Sequence, residues 1–174
     1  MTDRHSPHAE RKFTAKEIIA AWLGAFFGIA ALAWVVTNMP EAKLLVIGSF
    51  GASAVLIYGS PKAPFAQPRN LIGGHVLSAL VGMLTWYYLP DVLILQEAFA
   101  VATAIALMQL TRTMHPPGGA TALIAVIGGT EIHSMGIGFI WVVFIGVIIL
   151  LAILLRTLSR LRFILNLLSK PNKI

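Results

Sequence analysis

Long uncharged, apolar runs separated by short polar breaks dominate the chain. The uncharged stretches cover 18–40, 44–61, 70–90, 98–111, 113–130 and 132–155, with lengths of 23, 18, 21, 14, 18 and 24 residues. A helix needs about 20 apolar residues to cross the hydrocarbon core of a bilayer, and about 17 is the practical minimum. Some runs are comfortable spans and others are short or marginal. The pattern therefore predicts an all-α, polytopic transmembrane helical bundle of six membrane segments, including short or broken helices. The weakest segments are Ala98–Arg112 and Pro117–Gly129. Joined as one interrupted span they would leave five crossings, with five basic residues on the outer side.

Composition agrees with a membrane protein. Of 174 residues, 57% are hydrophobic and 11% charged, and the mean hydropathy is +0.83, which excludes an ordinary water-soluble fold. The formal charge of +6 is read as loops facing the cytoplasmic side rather than as a nucleic-acid surface, because lipid headgroups are the cheaper partner. With six crossings and the N-terminus inside, 12 of the 13 basic residues fall on the inner side and only Lys43 lies outside. Both termini are then cytoplasmic, in an inner membrane. The resulting organisation is a polar N-terminal segment (1–17), a transmembrane domain (18–155) and a basic tail (156–174), in which Arg156, Arg160 and Arg162 punctuate leucines as in an interfacial amphipathic helix. No small-residue cleavage site of convincing form follows the polar start, so the first run is read as a retained anchor.

With no cysteine, disulfides, Cys-ligated zinc and thiolate catalysis are excluded. No Ser-His-Asp set, paired carboxylates or phosphate-loop glycines appear, so the chain reads as a non-enzyme without a cofactor. His75, His115 and His133 differ in depth and lack a carboxylate partner, which argues against a metal site. The small residues of the first and third runs, Gly24, Gly28, Gly73, Gly74 and Gly82 among them, are read as packing positions. Together with the short chain they favour a homo-oligomer. Trp22, Trp34, Trp86, Tyr87, Tyr88 and Trp141 fall near span ends, where aromatic rings sit among headgroups.

The least ordinary stretch is Arg112-Thr113-Met114-His115-Pro116-Pro117-Gly118-Gly119-Ala120-Thr121-Ala122. Pro116 holds His115 out of helical geometry while Pro117 suits the first turn of a new helix. A helix start at depth presents N–H groups and a positive dipole end to a small anion. Thr121 adds a hydroxyl, His115 a titratable ring, and Arg112 a charge to attract the anion; the alternative is a re-entrant turn with no ligand. Gly51-Ala52-Ser53-Ala54 resembles Gly119-Ala120-Thr121-Ala122, and if spans one to three and four to six are repeats they form a 3+3 inverted pair. Gln67, Arg69 and Asn70 stand at the entrance to the third span. Arg69 can meet an anion or a lipid phosphate, and Asn70 can bind or cap. Ionisable groups at membrane depth usually face the bundle interior or a wet path, so His75 and His115 are candidates for a proton relay, or are neutral buried rings. The candidate binding residues are thus His115, Gly118, Gly119, Thr121, Gly51, Ser53, Asn70, Arg69 and Arg112.

At Ala66-Gln67-Pro68-Arg69-Asn70 and His115-Pro116-Pro117-Gly118-Gly119-Ala120-Thr121-Ala122-Leu123 the chain resembles the HPP family of integral membrane proteins. The resemblance runs from about Lys16 to Leu155. It implies a small polytopic protein, often described with four or five spans, and an anion permease, since members in cyanobacteria and plastids are associated with nitrite transport. The mechanism expected from it has the anion enter near Arg69 or Arg112, contact the Gly51–Ser53 and Gly118–Thr121 backbones, and leave as the repeats rock. The alternative is a structural or regulatory subunit of a membrane complex.

Overall fold

A computed structural model describes residues 13–37 and 45–168, with side-chain placement over 13–37 and 48–159. The expectations that fall on Arg4, Arg11, Lys43, Lys170 and Lys173, and on the side chains of Arg160 and Arg162, lie outside the described residues. Among the described residues seven α-helices follow one another: α1 (Ala15–Thr37), α2 (Gly51–Gly59), α3 (Pro68–Tyr88), α4 (Leu93–Leu110), α5 (Pro117–Ile127), α6 (Gly129–Met135) and α7 (Gly138–Leu168). A π-helical turn, Leu45–Phe50, leads into α2, and a 3-10 turn, Pro64–Ala66, precedes α3. No strand occurs among the described residues.

Four of these helices are long and apolar enough to cross a membrane: α1, α3, α4 and the Gly138–Ser159 part of α7. Two shorter apolar helices, Gly48–Gly59 and Pro117–Ile127, complete the bundle. The fifth segment is short, as its prolines and glycines predict. The fourth is longer than expected. It begins at Leu93 and has 18 residues, because Glu97 lies within its second turn instead of ending it. The second segment is the other short one, with a π turn in place of its first α-helical turns.

The N-terminus of α1 is set by Thr14 and Glu17. The Thr14 hydroxyl accepts from the Glu17 N–H at 3.3 Å, and the Glu17 carboxylate accepts from the Thr14 N–H at 2.9 Å. Such a reciprocal cap contributes about 1 kcal/mol. Large apolar side chains face outward, Ile94, Leu110, Ile137 and Val55 each at least 75% exposed, as a lipid-facing surface requires. Trp22, Trp34, Tyr87, Tyr88 and Trp141 are exposed too. α7 runs unbroken for 31 residues, about 46 Å at 1.5 Å per residue. Its last turns, from Arg156 on, therefore extend beyond a core of about 30 Å.

Small residues let α3, α4 and α5 approach closely. Ala100 and Ala104 of α4 are fully buried with Ala122 of α5. A Cβ on Gly118 would lie 2.9 Å from the Gly74 carbonyl oxygen, and one on Gly82 would lie 2.6 Å from the Ala125 Cβ. These two contacts place α5 alongside α3 in the same direction. They also put the start of α5 beside Gly74, six residues into α3, about 9 Å from its first residue. Gly24 and Gly28 of α1 pack on the Tyr58 ring, whose hydroxyl donates to the Leu150 carbonyl of α7 at 2.9 Å.

Candidate functional site

Where the two short helices meet α3, the apolar interior is interrupted by polar side chains. Ser49, Ser53, His75, Ser78, His115 and Thr121 are all completely buried. Ser49 and Ser53 are four residues apart and share one helix face, as do His75 and Ser78, three apart. His115 comes from the break between α4 and α5, and Thr121 from the second turn of α5.

All of these groups but Ser78, which approaches the Met108 sulfur, form a continuous chain of hydrogen bonds. His115 Nδ1 lies 2.8 Å from the Phe65 carbonyl oxygen, and His115 Nε2 lies 2.9 Å from the Ser53 hydroxyl. Ser53 Oγ lies 2.7 Å from His75 Nε2, so one hydroxyl bridges two imidazoles. His75 Nδ1 lies 2.7 Å from Thr121 Oγ1. Thr121 Oγ1 is in close contact with Ser49 Oγ, which also reaches the Pro117 carbonyl oxygen at 3.2 Å and His75 Nδ1 at 3.3 Å. The two imidazole centroids are 4.9 Å apart. Phe50 packs edge-on against His75 and covers Gly146 of α7, closing that side with an aromatic ring. Among the described residues every buried side-chain nitrogen and oxygen has a hydrogen-bond partner.

Of the residues singled out from sequence, Ser53, His75, His115 and Thr121 converge in this cluster. The Ser53 and Thr121 hydroxyls of the two similar tetrapeptides contact opposite nitrogens of the same ring, His75. Gly118 and Gly119 border the cluster, but their N–H groups donate to the His115 and Pro116 carbonyls at 2.8 and 3.0 Å. With prolines at 116 and 117, the first four residues of this turn offer their donors inward or have none. Gly51 opens α2 and takes no part in the cluster's side-chain hydrogen bonds. Ser49 and the Phe65 and Pro117 carbonyls were not anticipated. The four-residue spacing of Ser49 and Ser53 in an apolar run was the available signal for Ser49.

Arg69, Asn70 and Arg112 gather at the end of the bundle where the 60–67 and 111–116 segments meet. Arg69 Nη2 donates to the Thr111 carbonyl at 2.9 Å, and Asn70 Nδ2 to the Met114 carbonyl at 2.8 Å. Arg112 is exposed and has φ 57°. The Thr113 N–H closes the end of α4 by donating to the Met108 carbonyl, which makes Arg112 the left-handed residue of a helix C-cap. His133 lies elsewhere: it stacks on Trp86 at 3.8 Å and points Nε2 at the Ala125 and Val126 carbonyls at the end of α5. An open groove of about 390 Å³ between α3 and α7, lined by apolar residues including Val76, Leu77 and Trp141, shares no residue with the cluster.

The histidine, the double proline and the paired glycines thus sit where, among the described residues, hydroxyls and imidazoles interlock. The transmembrane-region profile of the HPP family matches residues 10–162. The chain belongs to the HPP family. A transmembrane protein of Dictyostelium discoideum is 44% identical over 155 residues, which cover 84% of this chain and 54% of that protein. A second transmembrane protein of the same organism is 46% identical over 121 residues, covering 67% of this chain and 39% of its own. The HPP chain described here therefore spans about half the length, or less, of these two relatives. No solved structure matches it. It is an HPP-family, multi-pass integral membrane protein.

Proposed function

We propose that this protein is an inner-membrane permease for a small monovalent anion, with nitrite the first candidate, and that it moves a proton together with the anion. The observation that supports this reading is the wholly buried set of three hydroxyls and two imidazoles at the junction of the two short helices. Polar and ionisable groups are costly inside a bundle surrounded by lipid, and packing alone is served by apolar side chains. Neutral donors suit a weakly hydrated oxyanion that must be released as well as bound. In this reading Arg69 and Arg112 gather the anion at the cytoplasmic face. Opening of the contact between the π turn and α5 then exposes Thr121, Ser53 and His115 to it. Six crossings with both termini cytoplasmic, and rocking of two inverted halves, complete the proposed mechanism.

Full partnering of the cluster favours a second reading, a structural or regulatory membrane subunit in which the same hydrogen bonds lock the helices. Liposome uptake by the purified protein distinguishes them, with nitrite, nitrate, formate and chloride compared under an imposed pH gradient. Protein-free liposomes correct for passage of undissociated nitrous acid. Saturable nitrite uptake that is lost in Thr121→Val and His115→Ala supports the permease. No flux for any anion, with folding verified, supports the subunit.

A further inference from the structure

The hydrogen-bond chain is closed at each end by a group that can only accept, the Phe65 carbonyl at one end and the Pro117 carbonyl at the other. Between them lie His115, Ser53, His75, Thr121 and Ser49, in that order. Each hydroxyl has one hydrogen to donate, and each neutral imidazole has one N–H. Five hydrogens therefore serve six links.

The neutral arrangement follows from chemistry. The Phe65 carbonyl requires a hydrogen on His115 Nδ1, so His115 Nε2 accepts from Ser53. Ser53, having donated its only hydrogen, accepts from His75 Nε2–H. His75 Nδ1 then accepts from Thr121, and Ser49 has one hydrogen for two acceptors, the Pro117 carbonyl at 3.2 Å and Thr121 Oγ1. One of these two links is therefore unfilled.

We infer that the cluster is a binding site for one proton, shared by His75 and His115 through the Ser53 hydroxyl. One added hydrogen fills all six links. His75 takes it on Nδ1, and Thr121 turns to donate to Ser49, which donates to the Pro117 carbonyl. The charge then moves without any further rearrangement. The N–H bond at His75 Nε2 breaks as a new O–H forms on Ser53, and the original Ser53 O–H breaks as an N–H forms on His115 Nε2. His75 becomes neutral and His115 becomes the cation. A second proton is excluded, because both Nε2–H groups would point at Ser53, whose own hydrogen would have no acceptor, with two like charges 4.9 Å apart.

The side chains facing the two rings come from the π turn and α2 (Ser49, Phe50, Ser53) and from α5 (Thr121), and none is charged. Met108 of α4 approaches Ser78, and Gly146 of α7 lies behind Phe50. Arg69 hydrogen-bonds to the Thr111 carbonyl and not to the cluster. This inference deepens the proton-linked part of the permease reading, but its test needs no flux.

The test is 15N NMR of the histidine rings in the intact protein in lipid bilayers, titrated from neutral to acid. At neutral pH His115 is expected to carry hydrogen on Nδ1 alone and His75 on Nε2 alone. Acidification is expected to add one proton to the pair in a single step, with both Nε2 signals averaging together. In Ser53→Ala the averaging is expected to disappear. Opposite tautomers at neutral pH, or uptake of two protons by the pair, overturns the inference from the wild-type protein alone. Failure of the permease reading shows separately, as absent flux with this titration intact.

Discussion

Replacing Ser53 by alanine tests whether the cluster is dry and closed. The change removes one hydroxyl and orphans two groups together, His75 Nε2 at 2.7 Å and His115 Nε2 at 2.9 Å. Interhelical hydrogen bonds in membranes average only about 0.6 kcal/mol and reach about 1.7, because the unfolded chain finds other partners. Here both rings stay fully buried, and among the described residues no other hydroxyl hydrogen-bonds to either Nε2, so the penalty for a stranded buried polar group applies, about 1–3 kcal/mol each. The expected loss is about 2–6 kcal/mol. Thr121→Val is expected to cost less, about 1–2 kcal/mol, because Ser49 already lies 3.3 Å from His75 Nδ1 and can turn to donate. Reversible unfolding in mixed micelles, followed by tryptophan fluorescence, reads both. A Ser53→Ala cost below about 1 kcal/mol, or one smaller than that of Thr121→Val, would mean that water reaches the rings and would refute the closed cluster.

Four further substitutions probe the frame. Arg112→Gly relieves a left-handed residue and is expected to raise stability by about 1 kcal/mol, while lowering anion uptake at low salt; a loss of stability would show that the guanidinium holds the turn. Gly82→Ala brings a Cβ within 2.6 Å of the Ala125 Cβ and onto the Ala122 carbonyl, and is expected to cost about 1–3 kcal/mol as α3 and α5 part. Gly59→Ala is its control: nothing lies within 4 Å, so thermal unfolding should show no loss. His133→Ala removes the ring that caps the end of α5 and is expected to cost about 1 kcal/mol with uptake retained, whereas abolished uptake at unchanged stability would give His133 a functional role.

Much of this architecture was legible from spacing. The apolar runs and the Pro-Pro-Gly-Gly break located the helices, since a proline pair cannot continue a helix and glycines allow close approach. The start of α5 at Pro117 and the packing of Gly74 and Gly82 follow directly, whereas the packing of Gly118 against Gly74 was not anticipated. Charge was a poorer guide to helix ends. Glu97 interrupts an uncharged run but sits inside α4, because a carboxylate near a membrane surface does not stop hydrogen bonding along the backbone. Of the cluster, Ser53, His75, His115 and Thr121 were visible as polar residues at depth. Their common contact was not, because it depends on how α5 lies along α3 and on the π turn packing against α5. The carbonyls of Phe65 and Pro117 carry no side-chain signature at all. Gly118 and Gly119 were read as free helix-terminal donors, whereas a turn back to His115 and Pro116 uses both N–H groups.

The central claim, a permease that carries one proton with each anion, is tested most directly by recording nitrite uptake and internal pH in the same liposomes. The expected result is saturable nitrite entry driven by an inward proton gradient, with one proton entering per anion above the protein-free background, and loss of both signals in His115→Ala. Nitrite entry without proton entry, or no entry of either above background by folded protein, would contradict it.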